Sequence, residues 1–354
     1  ISDPTGNSNK NKQAVLFQSG SSTSTFKNEG TLIGGSNAAS VQVGANRNNG
    51  VTIETFTNEG IIGNGTSRFG ITVWGKSNNK SSITNFSNSG TIHSKNEGVY
   101  FNNTEIKTFT NSGTIQVSGR NQAVSFQNGS STTTFLNKGT LIGGSNAASV
   151  NLGTNNQNGI TIETFTNSGI IGNGSSKFGV VISGGGNSKS TINNFNNSGT
   201  IHSNNGESIY LGNANVSTFN NSGTISSEDI HGVNLKYTTI DNFTNSGIIK
   251  TNGTHRHESS VYADSGFRMT YAHVKTFENT GTISGFMGVL VNGSKIDQFT
   301  NKQTIMATQD NDSSFGIMIG VIDRGLENGT STIKTLKNEG IITSKGQGIV
   351  ISNK

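Results

Sequence analysis

The sequence predicts an all-β chain wound as a right-handed parallel β-helix, a solenoid of about twelve rungs. Three observations carry that expectation. A seven-residue motif recurs twelve times, apolar residues alternate between its copies, and the 354 residues include 48 Gly but one Pro, with only 13% charged. A fixed motif at a fixed kind of spacing is the signature of stacked structural units, each too small to bury its own apolar face.

The motif reads aromatic, one residue, Asn, one residue, Gly, one residue, Ile or Leu. Phe fills its first position in every copy except the last, where Leu336 stands; Phe56, Phe86, Phe165 and Phe195 belong to this column. The Asn two residues later has no exception, as at Asn58, Asn88, Asn167 and Asn197, and the Gly fails only at Gln303. Successive aromatics lie 22 to 37 residues apart. Constant geometry in one segment with tolerated insertions in another accounts for both facts. Stacked one strand spacing apart, about 4.8 Å, the Phe side chains form a core column. The Asn side chains form an amide ladder of the cross-β kind. These residues are therefore assigned to structure.

Between motifs lies a second alternating segment, with inward pairs such as Val15 and Phe17, Val41 and Val43, Ile71 and Val73, and Val99 and Phe101. Period-two alternation marks a half-buried strand. A third apolar point, for example Ile53, Ile83 or Ile162, precedes each aromatic. Three short strands per repeat fit one coil of a parallel β-helix. Asn-x-Gly is expected to turn the corner by accepting positive φ, and the near absence of Pro leaves the ladders intact. Right-handed winding follows from the bias of parallel crossovers.

The chain reads as a single solenoid over 1–354. Within it TLIGGSNAASV occurs at 31–41 and again at 140–150, an offset of 109 residues shared by Phe26 and Phe135, Phe56 and Phe165, and Phe86 and Phe195. Four rungs are thus duplicated in tandem, over about 12–119 and 121–228. The divergent rungs of 229–354 carry longer loops, at about 250–272 and 306–332, and insertions in solenoids usually map to loops on one face.

Composition closes several chemistries. With no Cys there is no disulfide framework, thiolate zinc site, cysteine nucleophile or iron–sulfur cluster. Apolar runs are far shorter than the ~20 residues of a membrane helix. Ile1 begins the chain without a signal segment, so the expectation is a soluble segment trimmed from a longer protein. A net charge of +5 comes from scattered Lys and Arg without a basic run, which points to no nucleic-acid partner.

FTNSGTI at 109–115, with its relatives FTNEGII at 56–62 and FNNSGTI at 195–201, resembles the passenger domains of type V autotransporters from Gram-negative mucosal bacteria, especially their Asn/Ser/Gly-rich adhesins. The resemblance covers nearly the whole chain and marks the β-helix rather than an activity. It implies export across the outer membrane by a separate C-terminal translocator barrel, to which nothing before Lys354 corresponds. It also implies display at the cell surface or secretion. Lack of Cys suits a chain that crosses the outer membrane unfolded. Such passengers serve as adhesins, self-association factors, toxins or proteases.

A search for chemistry leaves no catalytic, cofactor-binding or metal residue assigned. β-Helix lyases and hydrolases gather carboxylates on one face, whereas the 20 acidic residues are dispersed. Asp241, Lys275, Asp297 and Lys334, each two before an aromatic, alternate in sign on successive rungs and read as cross-strand ion pairs. His255 and His257 beside Glu258 have a spacing that fits a metal or a solvated loop, and Asp310 and Asp312 lack the rest of a calcium loop. His93 and His202, four rungs apart, cannot meet.

The outward faces supply the candidate partner contacts. Trp74, the single Trp, falls outward near Tyr100, where it stacks on a sugar or partner or packs under a loop. Tyr210 shares the outward column. Tyr262, Leu290, Met318 and Val350 form an apolar stripe on successive divergent rungs, either an interface or a surface covered by the 306–332 insertion. If it is an interface, Leu290→Asp weakens association and spares the fold. The expected function is adhesion through repeated weak contacts to a host-cell protein, a glycan or a second copy. The alternatives are a glycan-active β-helix enzyme and a toxin-like passenger.

Overall fold

In a computed structural model the described residues are 10–44, 49–153, 159–186, 188–254, 263–309, 314–320 and 330–352. The described residues form parallel β-sheets and contain no helix. The chain divides into two compact units, Ile1–Thr191 and Ile192–Lys354. That division falls inside the second copy of the duplicated block.

Each unit is a parallel β-helix in which every rung gives one strand to each of three sheets. In the first unit a leading sheet has seven strands, from Val15–Phe17 to Phe178–Ser183. An aromatic sheet has six, from Ser22–Asn28 to Thr161–Asn167, and a short sheet six, from Thr31–Leu32 to Ile170–Ile171. The second unit repeats the plan with six rungs, its leading sheet running from Ile209–Gly212 to Gln347–Ser352. Register follows the motif residue for residue. Phe26 pairs with Phe56 and Asn28 with Asn58, and in the second unit Phe219 pairs with Phe243. The leading strands pair Val15 with Val41 and Val99 with Ile71.

The Phe column fills the core. Phe56, Phe109, Phe135, Phe165 and Phe195 have no exposed surface and Phe86 has 1%. The rings stack: Phe86 and Phe109 lie 5.0 Å apart at 4°, Phe135 and Phe165 4.7 Å apart at 6°, Phe195 and Phe219 4.6 Å apart at 6°. Beside them runs the amide ladder. Asn58 Nδ2 donates to Asn88 Oδ1 at 2.7 Å, Asn137 Nδ2 to Asn167 Oδ1 at 2.8 Å, and Asn197 Nδ2 to Asn221 Oδ1 at 2.8 Å. The same nitrogen also donates to the motif Gly carbonyl, as from Asn58 to Gly60 at 3.2 Å. A buried amide therefore has its partners built into the repeat.

The motif glycines have a different reason from the expected one. Positive φ occurs at other glycines, such as Gly44 and Gly63, but not at Gly60 or Gly90. Instead a Cβ on Gly60 would sit 2.1 Å from the Gly30 carbonyl oxygen, and one on Gly90 2.0 Å from that of Gly60. The tight corner is closed because two amides donate to one carbonyl: Glu59 and Gly60 N–H both reach Asn28 O, at 2.8 and 3.0 Å. The duplicated blocks repeat such details, since Gly34 N–H donates to Ser40 Oγ at 3.1 Å and Gly143 N–H to Ser149 Oγ at 2.9 Å.

Candidate functional site

With the core filled, chemistry is left to the outer faces. On the leading sheet of the first unit Trp74 and Tyr100 are half-buried, their rings 4.9 Å apart at 48°. Asn102 Nδ2 donates to the Tyr100 hydroxyl at 2.9 Å and holds that ring against the sheet. One column away Glu97 accepts from Asn121 Nδ2 at 2.9 Å, and its second oxygen is buried without a partner. Burial pushes the Glu97 carboxyl above the usual carboxylate range.

The apolar stripe is corrected by the structure. Leu290 is 0% exposed and Met318 8%, so neither presents a free surface. They point outward from the helix, but into a second apolar cluster with Ala263, Phe286 and Met287, against which Phe315 and Val350 also pack. Alternation identifies the face a residue takes, not whether something lies over that face. Val350 is half-buried. In that column Arg268, not Tyr262, pairs with Leu290, so the stripe begins one rung later than the alternation predicts; Tyr262, His255, His257, Glu258, Asp310 and Asp312 lie outside the described residues.

Between the stripe and Tyr210 the same face turns polar and stays buried. His231 is 1% exposed, with the Ser265 N–H 3.1 Å from its Nδ1 and Arg268 Nη1 3.0 Å from its Nε2. Burial first, and the Arg268 charge second, hold the imidazole pKa well below its ordinary value. A protonated ring would aim both N–H groups at donors. Tyr210 lies flat on the sheet: a Cβ on Gly212 would come within 2.7 Å of its ring. At the next corner, positions filled elsewhere by Asn103, Asn128, Asn213 and Gly293 hold Tyr237 and Tyr271, at φ of 52° and 49°. A bulky residue there costs about 1–3 kcal/mol.

Charge is laid out in ladders. Lys275 Nζ meets Asp241 Oδ1 at 2.7 Å, and Asp297 collects Lys295 at 3.0 Å, His273 at 2.8 Å and Lys334 at 3.1 Å. Bonds from Lys295, His273 and Lys334 hold the Asp297 carboxyl well below the usual range. In the first unit an open groove of about 610 Å³ crosses the aromatic sheet, lined by Lys80, Glu105, Lys107, Thr133 and Glu163 among others. Lys80 and Glu105 pair across it at 3.0 Å. Among the described residues no three His, Asp or Glu side chains group as metal ligands would.

Sequence reasoning missed one column, although its signal was present five residues after each aromatic, where the residue is always Thr or Ile. It faces outward on the short sheet. In the first unit Thr31, Ile61, Thr91, Thr114, Thr140 and Ile170 pair in unbroken register. In the second unit Thr200, Thr224, Ile248, Thr282, Thr304 and Ile341 do the same. Ile61, Ile170 and Ile248 are 45%, 46% and 43% exposed.

Fold and faces together define a parallel β-helix whose outer surface carries repeated side-chain columns. No protein-family model matches the chain, and neither a curated protein nor a solved structure does. No helix among the described residues is long and apolar enough to cross a membrane.

Proposed function

We propose that the protein is an adhesin of the autotransporter-passenger kind, displayed at the cell surface or secreted, with a separate barrel as its exporter. Its partners are a host-cell protein or glycan, or a second copy of itself. The observation that most supports this is the outward Thr/Ile column, in which one β-branched side chain recurs on every rung of each unit. A partner that touches one rung meets the same chemistry about 4.8 Å further on. Individually weak contacts then sum through effective concentration.

The test measures binding of the purified chain to epithelial monolayers, and its mass against concentration by sedimentation. Saturable binding or reversible self-association is expected, weakened by Ile61→Ser together with Ile170→Ser. A chain that stays monomeric at high concentration and binds no cells would sink the proposal.

A further inference from the structure

Three of the five tyrosines of the chain stand on successive rungs of the second unit. Tyr237 and Tyr271 stack on successive rungs, ring centroids 5.3 Å apart at 7°, with Tyr237 51% exposed. Lys236 Nζ stands 5.7 Å from the centre of the Tyr237 ring. Tyr210 is laid toward them over Gly212, where any Cβ would strike its ring. Burial first, and then the charges of Glu207 and Tyr237, push its phenol above the ordinary value. The corner asks for Asn or Gly, and the two tyrosines take positive φ there. Local structure gives no reason for a bulky ring at such a position, so the reason lies in what the rings present.

A second observation concerns polar groups around the rings. Asn234 donates through Nδ2 to Glu207 Oε1 at 3.0 Å, while its Oδ1 is buried without a partner. Thr270, which precedes Tyr271 and pairs with Lys236, has an unpartnered buried hydroxyl. The two residues are 8% and 7% exposed and sit one rung and two residues apart on the same outward face. An apolar peptide would leave both unsatisfied. A polyanion would meet Glu207 as well as Lys236. A hydroxyl both donates and accepts, and a pyranose ring offers C–H groups to an aromatic face alongside hydroxyls at its edge.

We propose that the Tyr237 ring, backed by the stacked Tyr271 ring, presents its other face to a neutral hexopyranose, with Lys236 and Glu207 at the rim and Asn234 bonding a hydroxyl once the Tyr210 ring, its neighbour in register, swings aside. The proposal rests on the adhesive reading above and names the ligand class for one site of it.

The experiment applies the whole purified chain to a printed array of glucose-, galactose- and N-acetylglucosamine-terminated oligosaccharides, with cell binding measured in parallel. The variants are Tyr237→Asn, Tyr271→Asn and Tyr271→Phe, with Glu29→Gln, an exposed residue of the first unit, as a control. Wild type, Tyr271→Phe and Glu29→Gln are expected to bind a neutral sugar alike, and each Asn variant about tenfold more weakly. Because Asn is the residue used at this corner by other rungs, melting should stay within about 3 °C of wild type. Array binding unaffected by the Asn variants, or a large fall in melting that marks the rings as structural, would overturn the platform. Cell binding without array binding would overturn the platform and leave adhesion standing. Absence of both would overturn both.

Discussion

Phe165 has no exposed surface, and its ring lies flat 4.7 Å from that of Phe135. Each such ring is at once a core residue of its own rung and a neighbour to the next. Phe165→Ala is expected to cost about 3–5 kcal/mol, since stacked rungs cannot collapse into the space without losing strand pairing; a thermal melt or denaturant titration reads it. His231 gives a prediction of a different kind. Its folded pKa is well below the ordinary value, so the unfolded chain takes up a proton first as pH falls. Stability is full above about pH 6.5, the unfolded value, and is lost as pH drops below it toward the folded one. The loss is about 1.4 kcal/mol for each pH unit in that window. His231→Asn should show a smaller loss of melting temperature between pH 7.5 and pH 5. Equal slopes for the two proteins would mean that the ring titrates freely. Neither its burial nor its Arg268 contact was legible in the sequence, because His231 occupies an outward position that only tertiary packing closes.

At the scale of the strand and its corner, the Asn-x-Gly repeat was legible in identity and register but not in mechanism. The spacing of aromatics places Phe on Phe and Asn on Asn, and the strands pair that way. The Asn-x-Gly pattern on its own suggests a conformational need for the glycine. It is a steric one, set by a carbonyl of the preceding rung that no sequence pattern displays. Asn111 shows what the ladder implies energetically. Its Nδ2 donates to Asn137 Oδ1 at 2.9 Å and to Gly113 O at 3.1 Å, and its Oδ1 accepts from Asn88 at 2.8 Å. Asn111→Ala leaves Asn88 and Asn137 each short of a buried partner. A loss of about 2–6 kcal/mol is expected, at about 1–3 kcal/mol for each orphaned group. Asn338, an exposed member of the same column, should lose less on the same substitution. Equal melts for the two variants would show that the ladder contributes nothing beyond the backbone. The corner tyrosines were the least legible element of all. Positive φ at Tyr237 and Tyr271 runs against residue preference, and such departures concentrate where a surface does something other than fold.

At the scale of the whole molecule, the repeat explains the inside of both units and leaves the outside to be decided rung by rung. Leu290 is where that distinction can be measured. An outward apolar residue on an open β-helix face would accept Asp with little change, whereas Leu290 is 0% exposed in an outer cluster with Phe286, Met287 and Met318. A carboxylate placed there lies beside the buried Arg268, which pairs in register with Leu290, so the cost is that of the lost apolar contacts and the space left in the cluster, about 2–5 kcal/mol. Leu290→Asp is therefore expected to lower the melting temperature steeply. Ile248→Asp provides the internal comparison. Ile248 belongs to the same unit, faces outward as well, and is 43% exposed on the Thr/Ile column, so its substitution should stay within about 0.5 kcal/mol of wild type while weakening adhesion. If the two variants melt together, the outer cluster is not a core, and the leading face of the second unit is open surface after all.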